Sequence, residues 1–315
     1  MIHWRFLLFI CLSVLQLNSC SIEEARHQKN RKLVVLSDYL EPQDSIIFKS
    51  FKRQQDIDIE IIHLSTDKMI GLTRNKKYTA DADIIMVKSI YDVHRLSQQS
   101  ILQQIVFKNE LSDKQRKYVS TKYNYFGFGI DPFVNVHQTS KRTSMNSDLV
   151  NKDFINLLDD KQRTVFFSPI LKKMSRVNSK QWIKRVINHS INDLSILDSN
   201  KHISVLTTYS DYKQNNFYRK KAFSGLTFPN STKNGTFYNL RTMAIVEQTE
   251  NYSMAKLFIK FYLQTKQNQE LTKQLSVLPL MEKTNSFLEY SVRQDELIQF
   301  FTLTNRILNI LNNDK

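Results

Sequence analysis

Leu33-Val34-Val35-Leu36-Ser37, Ile57-Asp58-Ile59-Glu60-Ile61-Ile62 and Asp83-Ile84-Ile85-Met86-Val87 are the three short runs that decide the fold. Each is too short for a globular helix and rich in β-branched residues, and the second alternates apolar and acidic side chains with the period of a strand. Between the first two, Pro42 opens an amphipathic segment whose apolar face is Ile46, Ile47, Phe48 and Phe51; proline is tolerated in a first helical turn. Between the second and third, Ser65-Thr66-Asp67 forms a helix-capping cluster ahead of Lys68–Thr73. Ile90–Leu96 reads as the next helix. Strand, helix, strand, helix, strand predicts a parallel α/β layer, because each parallel pair needs a crossover.

Outward from this layer, the N-terminus reads as a leader. Arg5 precedes the apolar run Phe6–Leu17, and Leu17-Asn18-Ser19-Cys20 closes it. The charged start and short hydrophobic stretch are those of a secretory signal, and the closing four residues resemble the lipobox of bacterial lipoproteins. The resemblance implies removal of residues 1–19, acylation of Cys20 and a chain held on the membrane of a bacterial cell envelope, facing its periplasmic or extracytoplasmic side. Residues 20–32 are polar and lack a core-facing period, so they read as a tether. No second apolar run of membrane-spanning length follows. The 315 residues carry 45 Lys and Arg against 30 Asp and Glu, a net charge of +15. In a secreted chain this excess suits anionic lipid, envelope polymer or an anionic ligand, and nucleic acid is not an expected partner. With 41% hydrophobic residues the chain can build a core, which excludes wholesale disorder.

The C-terminal half adds Phe228-Pro229-Asn230, Gly235-Thr236-Phe237-Tyr238-Asn239-Leu240, Met243-Ala244-Ile245-Val246, Asn251 to Phe261, Gln267-Asn268-Gln269 and Leu278-Pro279-Leu280. In order and spacing these pieces, together with the three strands, resemble bacterial extracellular solute-binding proteins of ABC importers, in particular the ferric-iron-binding branch of type II periplasmic binding proteins. The likeness runs from about Leu33 to Lys283. It implies an α/β fold of two lobes that close on a ligand in an interlobe cleft, joined by hinge strands. Residues 33–129 and 240–315 would form lobe 1, and residues 130–239 lobe 2. Gly127, Gly129, Gly225 and Gly235 bracket the expected crossings, where hinges use glycine, although ordinary turn chemistry accounts for them as well.

The resemblance also implies a ligand set, and here the chain departs from the pattern. Fe(III) favours phenolate, and relatives present adjacent tyrosines after a lobe-2 strand. Here Thr207-Thr208-Tyr209-Ser210-Asp211-Tyr212 follows that strand. Tyr209 matches the first tyrosine and is the candidate metal ligand; Ser210 stands at the second, with Tyr212 two residues on. Ser37 and Tyr39 occupy the first loop. Ser168, in Phe167-Ser168-Pro169, stands for the anion loop, and Asn188 follows Trp182 as a candidate amide donor. The arginine implied near Ile130-Asp131 is lacking, and Lys76-Lys77 replaces an implied metal-binding glutamate; that pair suits an anion or a solvated turn equally. Ligand-binding candidates are therefore Ser37, Tyr39, Ser168, Asn188, Tyr209 and Tyr212, for an iron complex or a small anion delivered to an ABC permease. No resident cofactor is expected; Fe(III) would be cargo.

Catalysis finds no support. The seven histidines lack metal spacing, no Gly-x-Ser-x-Gly or phosphate loop occurs, and Asp159-Asp160 reads as a solvated turn after an apolar helix, Phe154–Leu158. Leu297–Leu311 reads as a helix packed on a lobe or presented to a partner. The expectation is a lipid-anchored binding protein of an importer. Its alternative is an envelope lipoprotein that keeps the two lobes for a structural or assembly role.

Overall fold

The computed structural model describes residues 31–74, 82–105, 107, 111–137, 154–191, 204–220, 223, 225–229, 235–280 and 294–313. Cys20, most of the tether and Lys76-Lys77 lie outside them. In chain order the elements are β1 (Lys32–Ser37), a 3-10 segment (Pro42–Phe48), α1 (Lys49–Gln55), β2 (Asp58–His63), α2 (Thr66–Arg74), β3 (Ile84–Val87), α3 (Ile90–Gln98), α4 (Asp113–Arg116) and β4 (Phe126–His137). There follow β5 (Phe154–Asn156), α5 (Asp160–Lys173), α6 (Arg176–Asn188), β6 (Ser190–Ile191), β7 (Ser204–Thr208), α7 (Tyr209–Gln214), α8 (Asn216–Lys220) and β8 (Gly225–Thr227). The last are β9 (Tyr238–Ile245), α9 (Tyr252–Leu263), α10 (Thr265–Gln274), β10 (Leu278–Pro279) and α11 (Gln294–Asn313).

β1 lies between β2 and β3 and is parallel to both, as the opening runs predict. β3 then pairs antiparallel with β9, and β9 with β4. The other half of β4 pairs with β7, which is parallel to β5, itself parallel to β6. The strand order β2-β1-β3-β9-β4-β7-β5-β6 is thus two α/β layers that share β4. This is a two-lobed α/β architecture, with the long antiparallel pair β4–β9 running from one sheet toward the other. Both strands are buried along their whole length. A register shift between Gly127 and Gly129 lets the crossing bend. A Cβ on Gly127 would stand 2.6 Å from buried Leu240, and one on Gly129 2.8 Å from Val277, so neither position has room for a side chain.

The first lobe is stapled by aromatics. Phe48, Phe51, Phe258 and Tyr262 are buried, with ring centroids 5.3 Å apart for Phe48–Phe258, 5.1 Å for Phe51–Phe258 and 4.9 Å for Phe258–Tyr262. Ile46, expected on the same face, is 68% exposed. A 3-10 segment turns about 120° per residue, so Ile46 and Phe48 cannot point the same way. Phe154-Ile155-Asn156 is a strand where a helix was expected: each residue finds a partner on β7, and a five-residue apolar run is too short to hold a helix. Asp159 caps α5 by accepting from the Gln162 amide at 2.7 Å. α11 packs chiefly on α5 and also on α3, burying Leu297, Phe301, Leu308 and Leu311.

Truncating Phe51, which touches three other rings of this cluster, is expected to remove about 3–5 kcal/mol of stability. Urea unfolding of Phe51→Ala measures it, and a loss under about 1 kcal/mol would show that the cluster is not the staple of the lobe.

Candidate functional site

In open α/β sheets, ligands meet the carboxyl ends of the strands, where loops and helix starts converge. Here β1 delivers Asp38 and Tyr39, and β3 delivers Lys88. β4 and β9 bring Asp131 and Arg241 to the crossing, and the turn from β7 into α7 brings Ser210 and Asp211.

Asp131 and Arg241 form a buried ion pair, 0% and 4% exposed, with Arg241 Nη2 donating to Asp131 Oδ2 at 3.0 Å. Ser210 completes it. Its amide donates to Asp131 Oδ1 at 2.9 Å, its hydroxyl to Oδ2 at 2.6 Å, and Arg241 Nη2 reaches its Oγ at 2.8 Å. Only one guanidinium nitrogen is used. Nε and Nη1 are buried without a hydrogen-bond partner among the described residues. The guanidinium lies 4.9 Å from the centre of the Tyr39 ring, and the Tyr39 hydroxyl is likewise buried and unpartnered among the described residues. Burial pushes the Tyr39 phenol upward, opposed by Arg241 and reinforced by Asp38. Tyr39 and Arg241 line a cavity of about 290 Å³ with Lys88, Gln214, Gln274 and Leu275.

Charge pairs reach across the cleft beside this cavity. Lys88 Nζ contacts Asp211 Oδ1 at 3.0 Å, and Gln162 and Thr208 donate to the other Asp211 oxygen at 3.3 and 2.8 Å. Burial pushes the Asp211 carboxyl up, but the Lys88 ammonium and these donors outweigh it and hold it below the usual range. Lys161, on α5, meets Asp92, on α3, at 2.8 Å. There burial wins, and the Asp92 carboxyl is pushed up to about 6 despite Lys161. Asp38 is also raised by burial, against the Lys88 amide, Arg241, Lys161 and Thr66. Gln214 adds a bond to the Leu275 carbonyl at 3.2 Å.

Of the six ligand candidates, Tyr39 alone lines this cavity. Ser37 Oγ is fully buried and accepts from the amides of Tyr39 and Leu40 at 3.3 and 3.2 Å, so it builds the turn that aims Tyr39. Ser168 is not in a loop. It sits mid-way along α5, fully buried, donating to the Thr164 carbonyl at 2.7 Å and meeting Thr304 of α11 at 3.1 Å. The Ser-Pro pair is held in a helix because the Asp159–Gln162 capping box starts it and α11 covers it. Asn188 is exposed at the last residue of α6. Tyr209 lines a separate recess with Lys213, Thr272 and Pro279, and Tyr212 packs on Tyr218 at 5.4 Å. Among the described residues no group of three His, Cys, Asp or Glu side chains is placed to hold a metal.

Lys88, Asp131, Ser210, Asp211 and Arg241 were missed as site residues. The family resemblance implies an arginine near Asp131 in sequence; the fold supplies one from β9 instead. The available signal was a charged residue inside the apolar strand Leu240–Val246, since an arginine in a buried strand must be paired.

No family model and no curated protein matches the sequence. Solved structures do, at low identity. A FutA (IdiA) of Trichodesmium in complex with iron and citrate is 16% identical with a TM-score of 0.75, over 89% of this chain and 99% of that one. Mannheimia haemolytica ferric iron-binding protein A in an open conformation is 13% identical with a TM-score of 0.77, over 90% and 99%. The periplasmic binding protein AfuA of Actinobacillus pleuropneumoniae, with exogenous fructose-6-phosphate bound, is 14% identical with a TM-score of 0.66, over 91% and 97%. The architecture is that of two-lobed, cleft-bearing binding proteins. More narrowly, the chain has the type II periplasmic-binding-protein fold, shared over about nine-tenths of its length with these structures.

The raised Asp92 carboxyl sets a pH dependence. Its folded value, about 6, lies above the ordinary 3.8. The associated stability is therefore complete below about pH 4 and declines as pH rises through 6, by on the order of 3 kcal/mol. Asp92→Asn is expected to abolish that decline, Lys161 staying charged throughout. Urea midpoints from pH 3.5 to 7 test this, and a constant difference between the two proteins across that range contradicts it.

Proposed function

We propose that this chain is the substrate-binding protein of an ABC importer and captures a small anion, free or as a ferric chelate, in the cleft between its lobes. The observation that carries the proposal is the buried Arg241 guanidinium, whose Nε and Nη1, like the neighbouring Tyr39 hydroxyl, lack partners among the described residues. An arginine edge matches a carboxylate or phosphate with two parallel bonds; Lys88 in the same wall already pairs with Asp211, and Asp44 lines the wall too, so the reading rests on the arginine. Leaving such groups buried and unbonded is costly, and a bound oxyanion would satisfy them. Of the similar structures, one is in complex with iron and citrate and another has fructose-6-phosphate bound, and both anions suit an arginine edge. Bare ferric ion suits it less, because Tyr39 stands beside a cation and Tyr209 lines another recess. Closure around the ligand would be a population shift, and binding rather than chemistry is the role. Acylation of Cys20 would hold the protein on the envelope membrane, and the partner would be the permease. No helix among the described residues is long and apolar enough to cross a membrane.

A second reading has its own support. Lys88–Asp211 and Lys161–Asp92 already join the two sides of the cleft with the chain's own charges, as a lipoprotein that keeps two lobes for assembly rather than transport would allow.

Thermal unfolding against phosphate, citrate, ferric citrate and fructose-6-phosphate separates the two. A ligand at a hundred times its Kd adds about 2.7 kcal/mol of stability. A saturable shift is expected with at least one anion, weakened about ten-fold by Tyr39→Phe, which removes only the hydroxyl. A phenolate-to-iron absorption band that Tyr39→Phe removes would identify the chelate. No shift with any of the four favours the structural lipoprotein. Separately, Cys20→Ser is expected to lose palmitate incorporation on metabolic labelling.

A further inference from the structure

The second lobe carries a surface that the cleft does not use. From residue 161 to residue 192 the chain has eight Lys and Arg and no Asp or Glu, in a protein whose overall ratio is 45 to 30. Most of these charges gather at one corner. α5 ends at Lys173, Met174 is extended, and Ser175 caps α6 by accepting from the Asn178 amide at 3.3 Å. The Ser179 hydroxyl fixes the corner, donating to the Ser175 and Ile170 carbonyls at 2.9 and 3.3 Å.

On α6, Ser179, Ile183, Val186 and Ile187 face inward and are buried. Arg176, Lys180 and Lys184, spaced by four residues, form an exposed ridge on the outside, with Arg185 beside it and Lys172 and Lys173 exposed at the end of α5. At the head of this ridge stand Met174, 41% exposed, and Val177, 66% exposed. Only six large apolar side chains among the described residues are so exposed, and two of them lie within four residues of each other here.

We propose that this corner is a docking surface for an anionic lipid bilayer, with Met174 and Val177 entering the headgroup boundary and the surrounding Lys and Arg side chains pairing with lipid phosphates. The chemistry is specific to that occupant. Uniform positive charge attracts any polyanion, but a hydrophilic acidic polymer gains little from two apolar side chains within the patch. A bilayer takes up both: long basic side chains lay their stems along the apolar boundary while their heads stay at the phosphates. Residues 161–192 contribute no carboxylate that would oppose approach. The inference does not depend on the identity of the cleft ligand.

Hydrogen exchange of the full chain, with and without vesicles, tests it. Amides of residues 172–185 are expected to gain protection on vesicles of phosphatidylcholine with 30% phosphatidylglycerol, and not on phosphatidylcholine alone. The anchor is common to both, so the difference reports the corner. The pair Lys180→Glu and Lys184→Glu is expected to weaken affinity for the anionic vesicles at least ten-fold with an unchanged melting temperature. Met174→Ser with Val177→Ser is expected to weaken vesicle binding while leaving any binding of soluble polyglutamate unaltered. Equal protection on both vesicles, or none on either, overturns the proposal. Polyglutamate protecting the segment as well as vesicles do, with the serine pair without effect, overturns it in favour of an acidic polymer.

Discussion

The buried pair of Asp131 and Arg241 is the constraint around which the rest is arranged. It sits where β4 and β9 pass between the sheets, with its acid on one strand and its base on the other. Taking two charges out of water costs several kcal/mol per ion, and their attraction offsets this only if the remaining hydrogen-bonding capacity is met. Ser210 meets it on the acid side with two bonds, which ties the start of α7 in the second lobe to the crossing. On the basic side two nitrogens have no partner among the described residues. One buried pair thus fixes the approach of the strands, draws in the helix that carries Asp211, and leaves two buried guanidinium nitrogens beside Tyr39 without partners among the described residues.

That coupling explains which features the sequence revealed. The parallel layer was legible because each of its strands announces itself within about six residues, through β-branching and alternation that need no distant partner. The long-range order of Phe-Pro, Gly-Thr and Leu-Pro segments then pointed to two lobes. The site was mostly illegible because its contacts join residues from 31 (Ser210 to Arg241) to 202 (Tyr39 to Arg241) positions apart. Tyr39 was found, being next to a strand end where binding loops begin. Arg241 was visible only as a charge in an apolar strand, and nothing local says that its partner is Asp131. Ser168-Pro169 is a loop signal in isolation, and a helix survives it here because α11 packs over it, with Thr304 of α11 meeting Ser168.

The same few residues also set the electrostatics of the cleft. Lys88 and Lys161 each reach from one side of the cleft to a carboxylate on the other, in opposite directions. Asp211 stays charged because it has gathered three donors. Asp92 is less well served and is raised by its burial. A pair that crosses a cleft is a different object from one inside a lobe, because opening the cleft returns both partners to water. Its net strength is then the difference between solvation and contact, which is small for exposed ions and variable for buried ones.

The C-terminal helix gives this a mechanical turn. α11 leans on α5, which follows a strand of the second sheet, and on α3, which follows a strand of the first. Through Asn305 it holds Thr164 of one helix and Tyr91 of the other. Two strands alone would act as a simple pivot with one free rotation. With a third support spanning the joint, any rocking of the lobes would have to roll along the helix or release one of its two contacts, so Gln294–Asn313 would act as a brake on opening.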